Sequence, residues 1–429
     1  MEKELNICVF EDEGYKNLLP LTFMRPSWAL RCGMTVLLEK ILRSFPKARF
    51  SVHLREHLID SIKHGALSAF PMNKIQSTSC VLINGRLLSK EDLSKKLVFK
   101  EEDEILVSGN DVVAARLSGP KLEFLKKALT HPLSMVDFEP LRLDVRFTQV
   151  SLPLITYPWD LVLQNEEQLK RDFTSLVKTG SVKGEVHPSA VIYAKESVHI
   201  EAKAEVMAHV VLDARNGPIY IGKEAQVLPL TRIEGPCYIG EKTKILGGKI
   251  RRGSSIGPHC KVNGELEETI IHGYSNKQHD GFLGHSYICE WVNLGAGTTN
   301  SDLKNTYGKV KVWINGGEID SNETFVGSFI GDHSKTGIGT LLNTGTVIGV
   351  ASNVFGGGLP PKFVPSFSWG SSLGLSENRL DDAIRTARIV MDRRSISMTS
   401  ADEMLLRKVF ELTRAERSGR ISGGPGNKI

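Results

Sequence analysis

Cysteine is scarce and scattered. Cys8, Cys32, Cys80, Cys237, Cys260 and Cys289 are the six in 429 residues, and no two form a Cys-x-x-Cys pair. Neither a zinc ribbon nor a disulfide framework is expected, and a reducing compartment, the cytoplasm, fits best. Long apolar runs are missing too: no stretch approaches the roughly 18 apolar residues of a membrane span. The opening MEKELNICVFEDEGY lacks a basic segment followed by an apolar one, so the expectation is no signal peptide and no membrane contact. Charge of one sign is absent as well. The 54 basic and 49 acidic residues leave a net +5, which gives no reason to expect a nucleic-acid partner but leaves anionic small molecules open. Glycine is what stands in excess, 40 of 429 residues against an average of about 7%. The length suggests two or three folding units.

Much of that glycine falls within a period of six. Val186, Ile192, Val198, Ala204 and Val210 recur every sixth residue; Ile221, Val227, Ile233, Ile239 and Ile245 resume the series. Ile250, Ile256 and Val262 follow after a slip of one, then Phe282, Ile288 and Leu294, then Ile330, Leu342, Ile348 and Val354, with Thr336 in one slot. A hexad is too short for a helical repeat. Each unit therefore reads as a short strand and a turn, three units closing one triangular coil, with the aliphatic inside and Gly, Asn, Asp and Lys at the corners. Ile221-Gly222, Ile239-Gly240 and Ile256-Gly257 carry the pattern. It resembles the left-handed parallel β-helix of hexapeptide-repeat acyltransferases and covers 185–358.

Residues 1–175 alternate strand-like runs (NICVF, SCVLING, DEILVSG) with helix-like stretches such as MTVLLEKILRSF, an α/β pattern. After the repeats, residues 371–418 predict two helices. One carries a stripe of Leu380, Ile384, Ala387 and Met391; the other opens on a Ser400/Glu403 capping box and carries Leu405, Val409 and Leu412. Residues 419–429 read as a disordered tail.

The segment NKQHDGFLGHSYICEWVNLGAGTTNSDLKNTYGKVKV, followed by GSFIGDHSKTGIGTLLNTGTVIGV, closely resembles the acetyltransferase half of bifunctional sugar-1-phosphate nucleotidyltransferase/acetyltransferases. In that family a catalytic His precedes the Asn of an N-[IFL]-G-A-G-T signature by fourteen residues, the spacing here of His279 to Asn293. The resemblance implies that His279 removes a proton from an amine acceptor while acetyl-CoA donates the acyl group, and that Asn293 hydrogen-bonds the sugar phosphate or amine. Phe282 stands where the family often has Tyr. The break in the hexads at 299–328 resembles a family loop that reaches a neighbouring subunit's cleft; its Asn300, Asp302, Lys304, Lys309 and Lys311 are candidates for contacting acetyl-CoA or phosphate, and a homotrimer is implied. His285, one hexad after His279, is the rival base. Another family with this fold, the γ-class carbonic anhydrases, holds zinc between histidines, and His272, His279 and His285 are open to that reading, although their spacing does not match it.

The N-terminal half resembles sugar nucleotidyltransferases through Pro20-Leu21-Thr22-Phe23-Met24-Arg25-Pro26, although the Gly-rich phosphate loop is replaced by EDEGYKNL and the lysine of the motif by Ser27. Ile83-Asn84-Gly85-Arg86 resembles the strand end that normally carries a magnesium-binding Asp, with Arg86 in its place. PLTFxRP, LRxG (Leu30-Arg31-Cys32-Gly33), INGRLL and YPWDL together resemble a divergent subgroup of probable sugar nucleotidyltransferases. On that resemblance Arg25, Arg31 and Arg86 neutralise phosphate charge, and Asp12 and Asp160 hold Mg²⁺; a solvated turn and a helix N-cap are their structural alternatives.

The expectation is thus an α/β nucleotidyltransferase-like (Rossmann-like) domain, a left-handed β-helix and short C-terminal helices. The implied function is acetylation of glucosamine-1-phosphate from acetyl-CoA and coupling of sugar-1-phosphate to UTP, a nucleoside triphosphate, in synthesis of a UDP-N-acetylglucosamine-like product. Two alternatives stay open: an acetyltransferase with a degenerate nucleotide-binding domain, and a non-catalytic trimeric sugar-nucleotide-binding scaffold.

Overall fold

A computed structural model describes residues 5–63, 66–88, 92–418 and 420–421. The expected tail, 419–429, lies outside the described residues except for Arg420 and Ile421. The chain divides into two compact units, one made of residues 1–18, 24–30 and 35–157, the other of 19–23, 31–34 and 158–429.

The first unit is built on a six-stranded mixed sheet of β1 (Asn6–Phe10), β2 (Arg49–Val52), β3 (Ser79–Asn84), β4 (Glu104–Ser108), β5 (Asp111–Ser118) and β6 (Arg146–Gln149), in the order β2-β1-β3-β5-β4-β6. β1 runs parallel to β2 and β3, whereas β5 is antiparallel to both its neighbours. The apolar runs read in the sequence are these strands, buried along nearly their whole length, as central strands covered on both faces must be. Helices α1 (Leu37–Ser44) and α2 (Gly119–Lys126) belong to this unit.

The second unit is a left-handed solenoid of short parallel strands on three faces. Face one holds six strands from Val191–Tyr193 to Phe282–Gly284; face two holds nine, from Val198–Ile200 to Phe363–Val364; face three holds eleven and ends in the antiparallel pair Ser368–Ser371 and Gly374–Glu377. The hexad aliphatics form one continuous core. Two details differ from the periodic reading. The short turn Lys195–Ser197 shifts the phase, so Val198, Ala204 and Val210 are the first of two inward residues, and Ile200, Val206 and Leu212 the second. Alternate residues of a strand share a face, so both sets stay inside. Phe282, by contrast, is not inward: its neighbour Leu283 pairs with Leu266 inside the coil.

Glycine serves stacking as well as corner conformation: Gly247, Gly264 and Gly281 have left-handed φ, whereas Gly240 and Gly257 do not. A Cβ on Gly257 would lie 1.9 Å from the His272 carbonyl oxygen of the next coil, and one on Gly240 would lie 2.5 Å from the Gly257 carbonyl carbon. The left-handed corner slots between faces two and three are instead taken by Glu224, Lys242, His259, Tyr274, Trp291, His333 and Ala351. Buried Ser and Thr hydroxyls tie coil to coil, as Thr243 does to the Gly257 carbonyl and Ser275 to that of Cys289, both at 2.7 Å.

Helix α3 (Pro158–Leu176) covers face two, where Leu169 and Phe173 pack with Met34, Tyr220 and Tyr238 and Trp159 meets Phe329. Helices α4 (Leu380–Asp392) and α5 (Ser400–Leu412) follow the solenoid. The capping box of α5 is Thr399/Asp402, one residue ahead of the Ser400/Glu403 expected, and Leu412 is exposed while Leu406 takes the buried place. Among the described residues no helix is long and apolar enough to cross a membrane.

Candidate functional site

In the first unit, Arg86 and Asp12 bind each other. The Arg86 guanidinium is 1% exposed; its Nε donates to Asp12 Oδ1 at 2.7 Å, Nη2 to Asp12 Oδ2 at 2.6 Å and Nη1 to the Ile155 carbonyl at 2.7 Å. Gly14, the one glycine of the altered loop, makes room for it, since a Cβ there would lie 2.2 Å from Arg86 Cζ. Where the sequence reading expected Arg86 to neutralise a phosphate, these donors are engaged inside the protein. Asp12 is engaged likewise: a carboxylate already neutralised by a bidentate guanidinium does not fit Mg²⁺, and the cavity beside it is about 150 Å³, below the roughly 300–1,000 Å³ of ligand sites. Among the described residues no group of three or more His, Cys, Asp or Glu could hold a metal. Asp160 stands in the first turn of α3, within the second unit. Arg25 is buried, and its carbonyl accepts a hydrogen bond from Arg55 Nη2. Sequence reasoning passed over the neighbouring Glu11, fully buried, which accepts from Arg55 Nε at 2.9 Å and from the Ser27 amide at 2.8 Å.

Arg31, for which phosphate binding was expected, belongs to the second unit. Its Nη1 donates to the Met34 carbonyl at 2.6 Å and its Nε to the His272 carbonyl at 3.3 Å.

On the solenoid, His279 is exposed at the corner between faces three and one. The reason this corner is held lies one strand earlier. Lys277 occupies an inward slot, in register with Val262, is 1% exposed, and donates from its ammonium to the His279 carbonyl. Burial pushes its amine down to about 8. The sequence signal was the missing aliphatic between Val262 and Leu294 on face three.

His285 lies at a different corner, as its hexad spacing implied. Its Nδ1 is 2.8 Å from Asp302 Oδ2 and its Nε2 is 3.2 Å from Glu268 Oε2. Burial disfavours the imidazolium, but the hydrogen bonds to Asp302 and Glu268 outweigh it and raise the group to about 9. A histidine held protonated between two carboxylates is a clasp and a poor base at neutral pH. Asp302 is thereby engaged. Asn300, expected to contact ligand, is buried, and its Oδ1 accepts from the Gly284 amide at 2.9 Å while its Nδ2 donates to the Gly284 carbonyl at 3.0 Å. His272 pairs with the Tyr287 hydroxyl at 3.0 Å, and the three histidines form no metal cluster.

The insertion carries an antiparallel hairpin, Lys311–Ile314 with Gly317–Asp320, that packs on its own chain: Val310, Val312 and Ile314 are buried and Trp313 stacks on Phe363 at 5.3 Å. Lys309 and Lys311 are exposed; Lys304 donates to the Lys309 carbonyl.

A cleft of about 350 Å³ opens over the outer side of face three; Gln278, the residue before His279 in the chain, lines it. Lys261, Asn276, Asn293 and Lys335 form one outward column along it, in register strand by strand. Gln278 and Asn293 both line it, as do Val390, Arg393 and Arg394 at the end of α4. A relay of amides runs through the floor: Arg394 Nη2 donates to Asn276 Oδ1 at 2.6 Å, and Asn276 Nδ2 to Asn293 Oδ1 at 3.2 Å.

Residues 7–180 match the family model of sugar nucleotidyl transferases. A bifunctional sugar-1-phosphate nucleotidylyltransferase/acetyltransferase of Sulfurisphaera tokodaii is 34% identical over 113 residues, 26% of this chain and 26% of its own. A bifunctional protein GlmU of Picosynechococcus sp. is 27% identical over 175 residues, 41% of this chain and 29% of its own. The chain thus spans less than a third of the length of these relatives. A solved UDP-N-acetylglucosamine acyltransferase of Francisella novicida aligns over 58% of this chain and 94% of its own at 12% identity, with a TM-score of 0.28. The chain is homologous, over part of its length, to nucleotidyltransferase/acetyltransferase proteins.

Proposed function

We propose that the solenoid transfers an acetyl group from acetyl-CoA to the amine of an amino-sugar-1-phosphate, glucosamine-1-phosphate being the first acceptor to test. The observation that carries this reading is the cleft itself: Asn293 of the NLGAGT signature lines it, Gln278 lines it, and His279 is the next residue along an exposed corner. In the reaction the amine nitrogen attacks the thioester carbonyl, the C–N bond forms and the C–S bond breaks. His279 takes the ammonium proton of the tetrahedral intermediate, and the coenzyme leaves as thiolate, which is reprotonated from the imidazolium or solvent. Lys277 is a positioning residue that anchors the corner from below.

In the N-terminal half, Asp12 is held by Arg86 and does not fit Mg²⁺, so the coupling of sugar-1-phosphate to UTP lies outside this reading. The reading that fits better is a nucleotidyltransferase-derived domain, residues 1–175, joined to an acting β-helix, 185–358, in a homotrimer.

The test is free-thiol release from acetyl-CoA with a panel of amino-sugar-1-phosphates, using the full chain and His279→Ala. Release with at least one acceptor, lost in the variant by about 100-fold or more as removal of a general base predicts, supports the reading. No release with any acceptor refutes it.

A further inference from the structure

The cleft has a wall and a charge that the transfer reading does not explain. Its wall is the middle of a column of rings, His259, Tyr274, Trp291 and His333, in consecutive coils. Centroids are 4.7 Å apart for His259–Tyr274, 4.5 Å for Tyr274–Trp291 and 6.2 Å for Trp291–His333, with the planes within 20° of parallel. All four residues have φ between 52° and 62°, the left-handed region that disfavours a bulky side chain by roughly 1 kcal/mol or more per residue. Glycine or asparagine would fill such a corner without that cost. Tyr274 and Trp291 of this wall line the cleft.

The charge is one-sided. Lys261, Lys335, Arg393 and Arg394 line the cleft, and no carboxylate does. Elsewhere on α4 the basic residues are neutralised: Arg385 pairs with Asp382 at 2.5 Å and Arg388 with Glu403 at 2.8 Å. The Lys335 ammonium donates to the His333 carbonyl at 2.7 Å, and among the described residues no carboxylate pairs with it. Burying like charges together without counter-ions costs free energy unless an anion joins them.

We propose that this cleft is a phosphate-ester site, in which Arg393 and Arg394 from the end of α4, with Lys335 from face three, hold the phosphate while the ring column bounds the ligand beside Asn293. The C-terminal helix is then part of the binding machinery and determines preference for phosphorylated over unphosphorylated acceptors or donors. This deepens the transfer reading, on which it rests for the chemistry next door, but its anion binding is measurable without turnover. The cations also bear the imprint of their crowding. Burial lowers Lys335 to about 8, and burial followed by repulsion from Arg394, Lys244 and Arg393 lowers Lys261. Guanidinium pairs bind phosphate through parallel charge-assisted hydrogen bonds, and the Arg394–Asn276–Asn293 relay links that charge to the signature residue.

Isothermal titration of the full chain separates the sources of phosphate. The probes are glucosamine-1-phosphate, coenzyme A and inorganic phosphate, with glucosamine and pantetheine as unphosphorylated controls. At least one of the two phosphate esters is expected to bind, more weakly as salt rises, and to bind about tenfold or more weakly to Arg393→Gln/Arg394→Gln. The charge-matched Arg385→Gln/Arg388→Gln protein, checked by circular dichroism alongside it, should bind as wild type does. A sugar phosphate that binds where coenzyme A does not assigns the site to the acceptor, and the reverse to the donor. If neither ester binds wild type, if the unphosphorylated controls bind equally well, or if the Arg393/Arg394 variant binds unchanged, the site is overturned. Anion binding that persists in a chain releasing no thiol keeps this proposal and removes the transfer reading; thiol release unaffected by the Arg393/Arg394 variant, in kcat and KM alike, does the opposite.

Discussion

At the scale of single residues, three buried ionic arrangements set what each unit can do. His285 between Asp302 and Glu268 has a direct pH signature. Its folded-state value, about 9, is above the ordinary 6.5, so its stabilisation is fully present below about pH 6.5 and is lost as the pH rises through about 9. Glu268 is held below its usual range, chiefly by its hydrogen bond to His285, with burial opposing, so the clasp also weakens in acid as Glu268 protonates. The melting temperature of His285→Gln should therefore trail wild type most near pH 6 and converge with it above pH 9; a gap independent of pH would refute the clasp. Arg86 with Asp12 is the second case. Removing one partner leaves a buried charge, so Arg86→Met should destabilise the first unit by about 3–5 kcal/mol in urea titrations, and Arg86→Met/Asp12→Asn should regain much of that. An additive double variant would show that the two groups are not coupled. Lys277 is the third. Lys277→Met removes an ammonium from an aliphatic column, so it should raise the melting temperature of the solenoid while lowering kcat at unchanged KM, because the His279 corner loses its anchor. A merely structural lysine would not split stability from turnover in this way.

At the scale of elements, the coil is set by what can stack. Gly257→Ala places a methyl against the His272 carbonyl, and a shift of whole coils is the only relief, so a loss of about 2 kcal/mol or more is expected; a melting temperature equal to wild type would show that the coils slide freely. This also explains which parts of the fold were legible. The aliphatic at each sixth position had to be inside, and β1, β3 and β4 had to be buried strands, because nothing else buries such runs. The phase shift at Lys195–Ser197 was hidden because Val198, Ala204 and Val210 are themselves apolar, and strand alternation buries both members of each pair. The place of Phe282 misled for the opposite reason: an aromatic next to a leucine can take either side of a strand, and register with Leu266 decides it.

At the scale of the whole molecule, the residues that pair across long separations were invisible in the sequence. Arg86 meets Asp12, and Arg55 meets Glu11, only once the first sheet forms. Arg394 reaches Asn276, and Arg393 shares a cleft with Lys335, only because the end of α4 comes to face three. Motif reading singled out Asn293 and His279, since the signature is local; for Asn300, Arg31 and Arg86 it carried no information about which backbone carbonyl or carboxylate each side chain binds. The proposed trimer predicts sedimentation at three times the mass of one chain; a monomer would confine the site to the single-chain cleft. The most direct measurement is mass spectrometry of the sugar after the full chain is incubated with acetyl-CoA and glucosamine-1-phosphate. The account predicts a product that has gained one acetyl group on nitrogen, formed by wild type and not by His279→Ala, whereas an unmodified sugar with wild type, or equal acetylation by the variant, would contradict it.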